Sequence, residues 1–285
     1  NFSSEGAVND LYLSFGANYS NSLYLGVTLG FPIVNYEQTV VFREQNNAFD
    51  KANLRDSLPN FRSMRLERSV STSGNGFYGG LGAIYRPADF MRLGVSIFSP
   101  TFYSLDDNFD YTMSAEVSDI PGSYDNELSS PDGNFSYNLT TPFRLNTSLA
   151  FFAGNWGFLS VDYQYQPMNN GQLSAEKVSF GDVNSLVSDL YQPTHQLRIG
   201  SEVRIDIFSL RAGYGYFSSP FKGSFTTFRN DGEGELFSTG FGVGLGNFTV
   251  DLAYQAKTLY RFQQPYEVEG NNPQIQEEVS RSHFM

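Results

Sequence analysis

Apolar and polar residues alternate along this chain in segments of about ten residues. From Leu159 to Gln166 the odd positions carry Leu, Val, Tyr and Tyr, while the even positions carry Ser, Asp, Gln and Gln. Successive side chains of a strand point to opposite faces, so a period of two predicts strands with one apolar and one polar face. Ten such segments can be counted, and an eleventh begins at Ser282.

The connections between these segments fall into two alternating classes. Short turns are predicted near 20–22, 87–89, 154–156, 206–207 and 246–247. Long polar connections are predicted at 43–60, 104–135, 167–194, 218–235 and 262–280. Short turns on one side and long loops on the other are typical of an outer-membrane β-barrel, with the turns in the periplasm and the loops outside the cell.

A soluble β-sandwich could also produce strands with one polar face. The aromatic residues favour the membrane barrel, because they lie on the apolar face at both ends of the segments, as interfacial girdles do. Those beside the short turns are Tyr19, Tyr85, Phe151, Phe208 and Phe248; those toward the long loops are Phe143, Tyr165, Tyr216 and Tyr254.

Composition excludes several other classes of protein and of functional site. Aromatic residues make up 16% of the 285 residues, and no run approaches the ~20 apolar residues that a spanning helix needs. The net charge of −12 argues against a nucleic-acid partner, because phosphate binding needs a basic face. There are no cysteines, which excludes disulfides and thiolate sites. We expect no cofactor and no enzymatic activity.

In a membrane barrel the polar positions of each strand face the lumen, where charged side chains escape the ~2–4 kcal/mol cost of facing mid-membrane lipid. Parity places one set of inward charges in a lumen ion network: Arg86, Arg92, Asp162, Glu202, Arg204, Asp206, Asp251 and Lys257. A second inward set is predicted to line a ligand path, with aromatic and apolar side chains for a tail and arginines for an anionic head group: Tyr12, Tyr24, Tyr78, Ile84, Phe98, Phe217, Arg144, Arg198 and Arg211.

Two other features could indicate a metal or catalytic site, but neither is sufficient to predict one. His195 is one of only two histidines and shares the lipid-facing parity of Leu197, so neither a histidine metal cluster nor catalysis is predicted. The segment from Leu105 to Asp132 holds eight acidic residues and no basic one, without the spacing of a twelve-residue calcium loop. It is interpreted as a solvated outer loop.

Several stretches, in the right order, resemble the FadL/TodX family of outer-membrane transporters for hydrophobic compounds, in the form common in Bacteroidota. They are Gly74-Asn75-Gly76-Phe77-Tyr78-Gly79-Gly80-Leu81 with Ser99-Pro100, Thr141-Pro142-Phe143-Arg144 with Trp156-Gly157-Phe158, Thr194-His195-Gln196-Leu197 with Ser219-Pro220, and Gly240-Phe241-Gly242-Val243 with Val250-Asp251-Leu252.

The resemblance implies a fourteen-stranded transmembrane antiparallel barrel plugged by an N-terminal hatch. Residues 1–285 would then be a single but incomplete barrel domain, with about ten strands present, the hatch and early strands absent and the last strand truncated. The expected location is the outer membrane of a Gram-negative bacterium, with lipid and lipopolysaccharide as neighbours.

The implied function is passive uptake of hydrophobic or amphipathic small molecules such as long-chain fatty acids. The alternative is a FadL-like, non-transporting subunit of a larger outer-membrane protein-insertion or secretion complex, which would have other outer-membrane proteins as partners. Long loops with aromatic and proline-rich pieces, such as 217–221 and 260–266, would suit docking.

Overall fold

The computed structural model describes residues 1–45, 61–117, 126–223, 231–246, 248–263 and 276–284. In these residues fifteen strands form one antiparallel sheet. The strands are β1 (Phe2–Tyr19), β2 (Leu23–Gln45), β3 (Phe61–Ala88), β4 (Met91–Phe98), β5 (Phe102–Val117), β6 (Asn126–Ser129), β7 (Gly133–Thr140), β8 (Arg144–Phe152), β9 (Gly157–Pro167), β10 (Gln172–Ser174), β11 (Pro193–Ile205), β12 (Phe208–Phe217), β13 (Gly234–Leu245), β14 (Phe248–Gln263) and β15 (Gln276–Phe284). One α-helix, α1 (Gly181–Leu190), and two short 3₁₀ turns (Gly154–Trp156 and Met168–Asn170) accompany them.

Some of the fifteen strands continue one another end to end. Counted as continuous passes across the sheet, here called wall strands, they number eleven. The long strand β3 pairs with β4 near the short turns and with β5 farther up, so β4 and β5 form one wall strand. In the same way β8 pairs with β4 and β7 pairs with β5, so β8 and β7 belong to one wall strand. Strand β6 pairs with the far end of β5. Strand β10 continues β9 beside β7. The prediction of ten antiparallel strands and the start of an eleventh agrees with this count.

The short turns lie where the sequence predicts them. Ser20, Asn21 and Asp206 all have a φ of 53°, the left-handed conformation found in tight hairpin turns. A 3₁₀ turn occupies Gly154–Trp156. The turn predicted at 87–89 is shifted by one residue, since β3 continues to Ala88 and β4 begins at Met91.

The prediction that 104–135 is a loop was wrong. Strand β5 extends to Val117, and β6 and β7 pair with it on the return. The strands project past the apolar belt, and the alternation continues there, with Tyr103, Leu105 and Phe109 on one face of β5 and Ser104, Asp106 and Asn108 on the other. The many acidic residues of this segment, rather than a loss of alternation, led to the loop prediction. Similarly, 167–194 contains β10 and α1, while most of 43–60 and 262–280 lies outside the described residues.

Two prolines mark a change of parity in the wall. On β3, Gly80 and Gly76 lie on the same face, yet Gly80 pairs with Phe98 and Gly76 pairs with Tyr103. The extra residue falls in the break between β4 and β5, around Pro100, and Thr141-Pro142-Phe143 breaks the neighbouring wall strand beside it. The two breaks are joined, since the Thr141 N–H donates to the Thr101 carbonyl oxygen at 3.0 Å. Above this level odd residues of β5 and β7 continue the lumen face.

Segment 168–192 folds onto the upper end of the sheet. The side-chain amide of Asn184 on α1 clasps Leu173 of β10, accepting from its N–H at 2.8 Å and donating to its carbonyl at 2.9 Å. This contact satisfies the free edge of β10, which would otherwise expose unpaired backbone groups. The ring of Phe180 lies 6.1 Å from that of Phe135 on β7. In the part of the chain that is described, no helix is long and apolar enough to cross a membrane.

The sheet has no hydrophobic core of the usual kind. Among the described residues, Leu105 is the buried hydrophobic side chain, at 5% exposure, and it lies above the apolar belt. Outward positions of the belt remain open, with Leu81 at 62% and Leu252 at 67% exposure. A continuous apolar face of this size is unstable in water and is the surface that a membrane barrel presents to lipid.

Candidate functional site

Two inward aromatic rings lie flat across glycines of the neighbouring strand. Tyr78 on β3 covers Gly30 on β2, where a Cβ atom would lie 2.2 Å from Tyr78 Cζ. Phe98 on β4 covers Gly80 on β3 in the same way, with 2.6 Å to Phe98 Cε1. Only glycine admits such an approach, so these glycines keep both rings against the wall rather than across the lumen.

The two rings belong to a cluster contributed by four strands, called the outer cluster: Asp10, Tyr78, Phe98 and Arg144. The Tyr78 hydroxyl donates to Asp10 Oδ2 at 2.8 Å. Tyr78 and Phe98 meet edge to face at 6.2 Å between ring centroids. The Arg144 guanidinium lies 4.5 Å from the centroid of the Phe98 ring. The predicted path residues Tyr78, Phe98 and Arg144 are thus brought together, and Asp10 joins them.

Arg144 carries an inward charge without a carboxylate partner. Within the described residues its guanidinium forms neither an ion pair nor a hydrogen bond, and its contact is the face of Phe98. Arg92 is similar, lying 4.2 Å from the centroid of Phe152. A cation on an aromatic face is held in place but not neutralised, so it can still bind an anion.

A second cation and aromatic group lies on the opposite flank of the described wall. Arg198 and Lys257 approach the ring of Phe217 from β11 and β14, at 5.9 and 5.6 Å from its centroid. Arg198 Nη2 also donates to Gln196 Oε1 at 2.7 Å. Both cations of this group therefore contact one aromatic ring, as Arg144 contacts Phe98.

Other inward charges are paired with one another. Glu202 is only 5% exposed and accepts from Arg204 Nε at 2.5 Å and from Arg211 Nε at 2.6 Å. Arg211 Nη1 reaches Asp251 Oδ1, also at 2.5 Å. Arg211, predicted for the ligand path, is therefore engaged in this ion network, and its charge is balanced.

The remaining predicted network residues lie elsewhere. Arg86 pairs with Asp89 at 2.5 Å beside a short turn, and Asp206 forms part of another turn. Arg92 and Lys257 lie on aromatic rings, as described above. Asp162 faces Arg198 across the β9–β11 ladder and contributes to two lumen cavities.

Below the outer cluster the lumen wall is nearly bare of side chains. A cavity of about 410 Å³ is lined by Tyr24, Ile84, Asn146, Ser148 and Asp162, among others, with Gly26, Gly82 and Gly94 in its wall. Tyr24 and Ile84 of the predicted path therefore meet in one place. Tyr12 lies apart from it, on β1, and is 65% exposed. A further cavity of about 430 Å³ lies beside Arg198, Glu202 and Arg211.

Above the proline breaks, polar residues bond across the strands. Asp107 accepts from the Thr72 hydroxyl at 2.6 Å and from the Tyr137 hydroxyl at 3.4 Å. Burial, and then the charge and hydrogen bond of Asp107, raise the pKa of Tyr137 above its usual value. The acidic residues of this region are therefore partly strand residues rather than loop residues. In the described ranges, no group of three or more His, Asp or Glu is arranged to hold a metal ion.

His195 lies at the outer end of β11 on the lipid-facing side, as its parity predicts. Its Nδ1 is 2.6 Å from the Tyr163 hydroxyl, and its ring lies 5.6 Å from that of Tyr165. Phe143 extends this group, 6.2 Å from Tyr165. The arrangement is that of an interfacial aromatic girdle.

Sequence reasoning missed Asp10, Phe152 and Gln196, the partners of the predicted inward residues. Each lies on the inward parity of its strand, so the pattern was compatible with the partners but could not select them. It also missed Tyr103 and Tyr137, because the parity change at Pro100 and Pro142 reverses which residues face inward. A proline inside an apolar segment was the available signal.

No family model and no curated protein sequence matches the chain. Solved structures do match. A FadL homologue of Pseudomonas aeruginosa superimposes with a TM-score of 0.61 at 15% identity, over 98% of this chain and 66% of that chain. The toluene transporter TbuX of Ralstonia pickettii gives 0.55 at 14% identity, again over 98% and 66%. The chain thus spans about two thirds of the length of either protein. These matches, with the strand pattern, show that its fold is a transmembrane antiparallel β-barrel.

Proposed function

We propose that the protein is an outer-membrane barrel of the FadL/TodX kind, in its Bacteroidota form, that takes up hydrophobic or amphipathic small molecules passively. The observation that carries the proposal is the outer cluster, where Arg144 lies beside the rings of Phe98 and Tyr78 without a direct ion pair among the described residues. Such a pair of groups suits a molecule with an anionic head and an apolar tail, such as a long-chain fatty acid.

The wall below this cluster supports a path for the tail. Because Tyr78 and Phe98 lie flat on Gly30 and Gly80, they offer ring faces without blocking the lumen. The next inward positions toward the short turns include Gly26 and Gly82, which lead to the cavity at Tyr24 and Ile84. The β2–β3 pairing is continuous beside this cavity, so the strands there form an unbroken wall along the path.

Inward charges that are paired with one another differ in role from those that are not: the first stabilise the wall, and the second can bind a ligand. Arg204 and Arg211 are matched by Glu202 and Asp251, as expected for groups that hold the wall together. Arg144 and Arg92 have no such partner in the described structure. An unpaired charge in a confined site is costly unless water or a ligand solvates it, so a ligand anion has a place there.

Binding of a long-chain fatty acid and of the alcohol of equal chain length to the reconstituted barrel tests the proposal. Arg144→Gln should weaken the acid about tenfold, the loss of one charged hydrogen bond, and leave the alcohol nearly unchanged. Arg86→Gln is the matched control, because it removes the same charge beside a short turn and should change neither affinity. Equal weakening of acid and alcohol by Arg144→Gln, or no binding by the wild type, would contradict the proposal.

A non-transporting subunit of a larger complex is the second candidate, favoured by an exposed apolar ridge around α1. Val178, Val183 and Leu186 are 49%, 41% and 53% exposed in a segment that lies above the apolar belt. By contrast, the proline-rich piece 217–221 is packed rather than free, since Ser219 is buried and the Phe221 ring lies 5.1 Å from that of Tyr191. Of the second piece, 260–266, the first four residues end β14, and the other three lie outside the described residues. Native purification distinguishes the two functions, because a protein partner that co-purifies in a fixed ratio favours the subunit of a complex.

A further inference from the structure

The lipid-facing side of the wall is not smooth. An apolar groove of about 560 Å³ crosses strands β1 to β4. Its lining is centred on Gly16, Gly26, Gly82 and Ser96, each with its two chain neighbours. These are three consecutive residues from each of four adjacent strands. With neighbouring strands about 4.8 Å apart, the groove runs roughly 14 Å across the sheet.

The register explains why a hollow forms at this level. One cross-strand row contains Gly16, Gly26 and Gly82 in succession, followed by Ser96. The adjacent outward row includes Ala17 and Ala83, which are directly aligned through Leu25. The longer side chains of Phe15, Leu81 and Ile97 stand in the outward row on the far side of the glycines. Short side chains therefore lie beside long ones on the outer surface.

The chemistry of the lining selects the occupant. No charged residue lines the groove. The hydroxyl of Ser96 faces the lumen, where it accepts from the Asn146 side-chain amide at 3.1 Å, so it adds no polar side chain to the groove. Water in such a hollow would lack the two to four polar partners that it needs. The groove opens onto the belt that faces the bilayer, so hydrocarbon is the medium in contact with it. An elongated apolar hollow in that position fits one acyl chain.

The level of the groove indicates which lipid supplies the chain. Ala17 and Leu25 lie two residues from the ends of β1 and β2 at the Ser20–Ser22 turn. Tyr19 and Tyr85, 72% and 50% exposed, lie between the groove and the short turns, at the level where head groups meet an aromatic girdle. The groove therefore belongs to the leaflet on the short-turn side, which in the outer membrane is made of phospholipid.

We propose that this groove holds one acyl chain of a phospholipid whose head group lies beside Tyr19 and Tyr85. Between a protein and lipid the driving force is packing rather than the hydrophobic effect. A chain that fills a hollow makes contacts on several sides, whereas one against a flat wall makes them on one side only. The bound lipid should therefore exchange more slowly than its neighbours. The proposal rests on the fold and does not depend on the transport function.

Native mass spectrometry of the whole chain, extracted from membranes in mild detergent, provides the test. The wild type should retain one phospholipid per barrel. Ala83→Phe fills the groove and should reduce the retained fraction at least fivefold, while Ala212→Phe, an equal change at an outward position of β12, should leave it unchanged. The shift in gel mobility on heating checks that both variants fold. A barrel without bound phospholipid, or equal loss in both variants, overturns the proposal.

A separate uptake measurement keeps this site distinct from transport. If Ala83→Phe loses the lipid but keeps fatty-acid uptake, the groove is a lipid site as proposed. If Ala83→Phe abolishes uptake while phospholipid stays bound in both variants, the groove is an exit for the transported molecule, and the lipid proposal is wrong. Failure of wild-type uptake contradicts the proposed function alone, since lipid retention is measured without any transported ligand.

Discussion

Arg211 on β12 and Asp251 on β14 form an ion pair across the strand that separates them, with Nη1 2.5 Å from Oδ1. The guanidinium passes over β13 at Gly242, where a Cβ atom would lie 2.4 Å from Asp251 Oδ1 and 3.3 Å from Arg211 Nη1. The absence of a side chain at one residue therefore lets two strands that are not neighbours share a charge contact.

Replacing Gly242 by alanine should separate this pair. We expect Gly242→Ala to destabilise the barrel by about 0.5–1 kcal/mol, the value of a partly exposed ion pair, because the Asp251 and Arg211 side chains can move aside. The measurement is urea unfolding in lipid vesicles, followed by the fluorescence of the single tryptophan, Trp156. Gly244→Ala is the control, because a Cβ atom there meets only the Ile207 carbonyl oxygen at an ordinary 3.7 Å. Equal effects of the two changes would contradict this account.

The same logic applies to Tyr78 and Gly30. Gly30→Ala should lift the Tyr78 ring from the wall and break its 2.8 Å hydrogen bond to Asp10, which would turn the phenol into the lumen. We expect a loss of about 1–2 kcal/mol of stability and weaker binding of apolar ligands, measured on the same reconstituted samples. Gly26→Ala, whose Cβ atom would have 3.8 Å to the Phe15 carbonyl oxygen, should leave stability nearly unchanged. A Gly30→Ala barrel as stable as the wild type would show that the ring does not need this glycine.

The buried carboxylate of Glu202 gives a third prediction. Glu202→Gln removes the buried charge that both Arg204 and Arg211 contact and leaves two partly exposed cations beside each other. The expected loss is about 1.5–3 kcal/mol, as for hydrogen bonds to charged groups. Asp251→Asn should cost less, because Asp251 is 47% exposed and water can replace it. A larger effect of Asp251→Asn than of Glu202→Gln, in urea unfolding, would contradict this order of stabilities.

The period of two was sufficient to place most inward side chains but not to pair them. Leu197 and Arg198 are assigned to opposite faces by alternation alone, whereas the partner of Arg211 depends on the stagger of β12, β13 and β14, which no local pattern encodes. Pairings such as Tyr78 with Asp10 likewise join strands that are not adjacent, and they became visible only with the register.

The pattern failed where the chain leaves the apolar belt. There β5 still alternates, with Asp107 as the exception, but its acidic residues were interpreted as a loop, and one extra residue at Pro100 reverses the parity so that its apolar residues face the lumen. The helix α1 was also not predicted. Its position is fixed by tertiary contacts, chiefly the clasp of Asn184 on Leu173, rather than by a strong local signal.

Tyr137 should titrate above the usual range for a phenol. Burial is the larger cause and the charge of Asp107 the next, so the folded state favours the protonated form and the pKa of Tyr137 is raised. The resulting stabilisation is complete below pH ~10 and is lost as the pH rises through the raised pKa. The difference in absorbance at 295 nm between the wild type and Tyr137→Phe measures this titration. Asp107→Asn should lower the midpoint without returning it to the ordinary value, and an ordinary midpoint in the wild type would contradict the assignment.

The sidedness of the barrel can be tested because the chain has no cysteine of its own. Single cysteines at Asp182, in the first turn of α1, and at Asp206, in a short turn, lie at opposite ends of the wall. If the long connections face the outside of the cell, a membrane-impermeant maleimide should label Asp182→Cys in intact cells and reach Asp206→Cys only after the outer membrane is opened. Labelling both after opening serves as the control for reactivity. Labelling of Asp206→Cys alone in intact cells would invert the orientation and, with it, assign the Tyr19 and Tyr85 girdle to the outer leaflet.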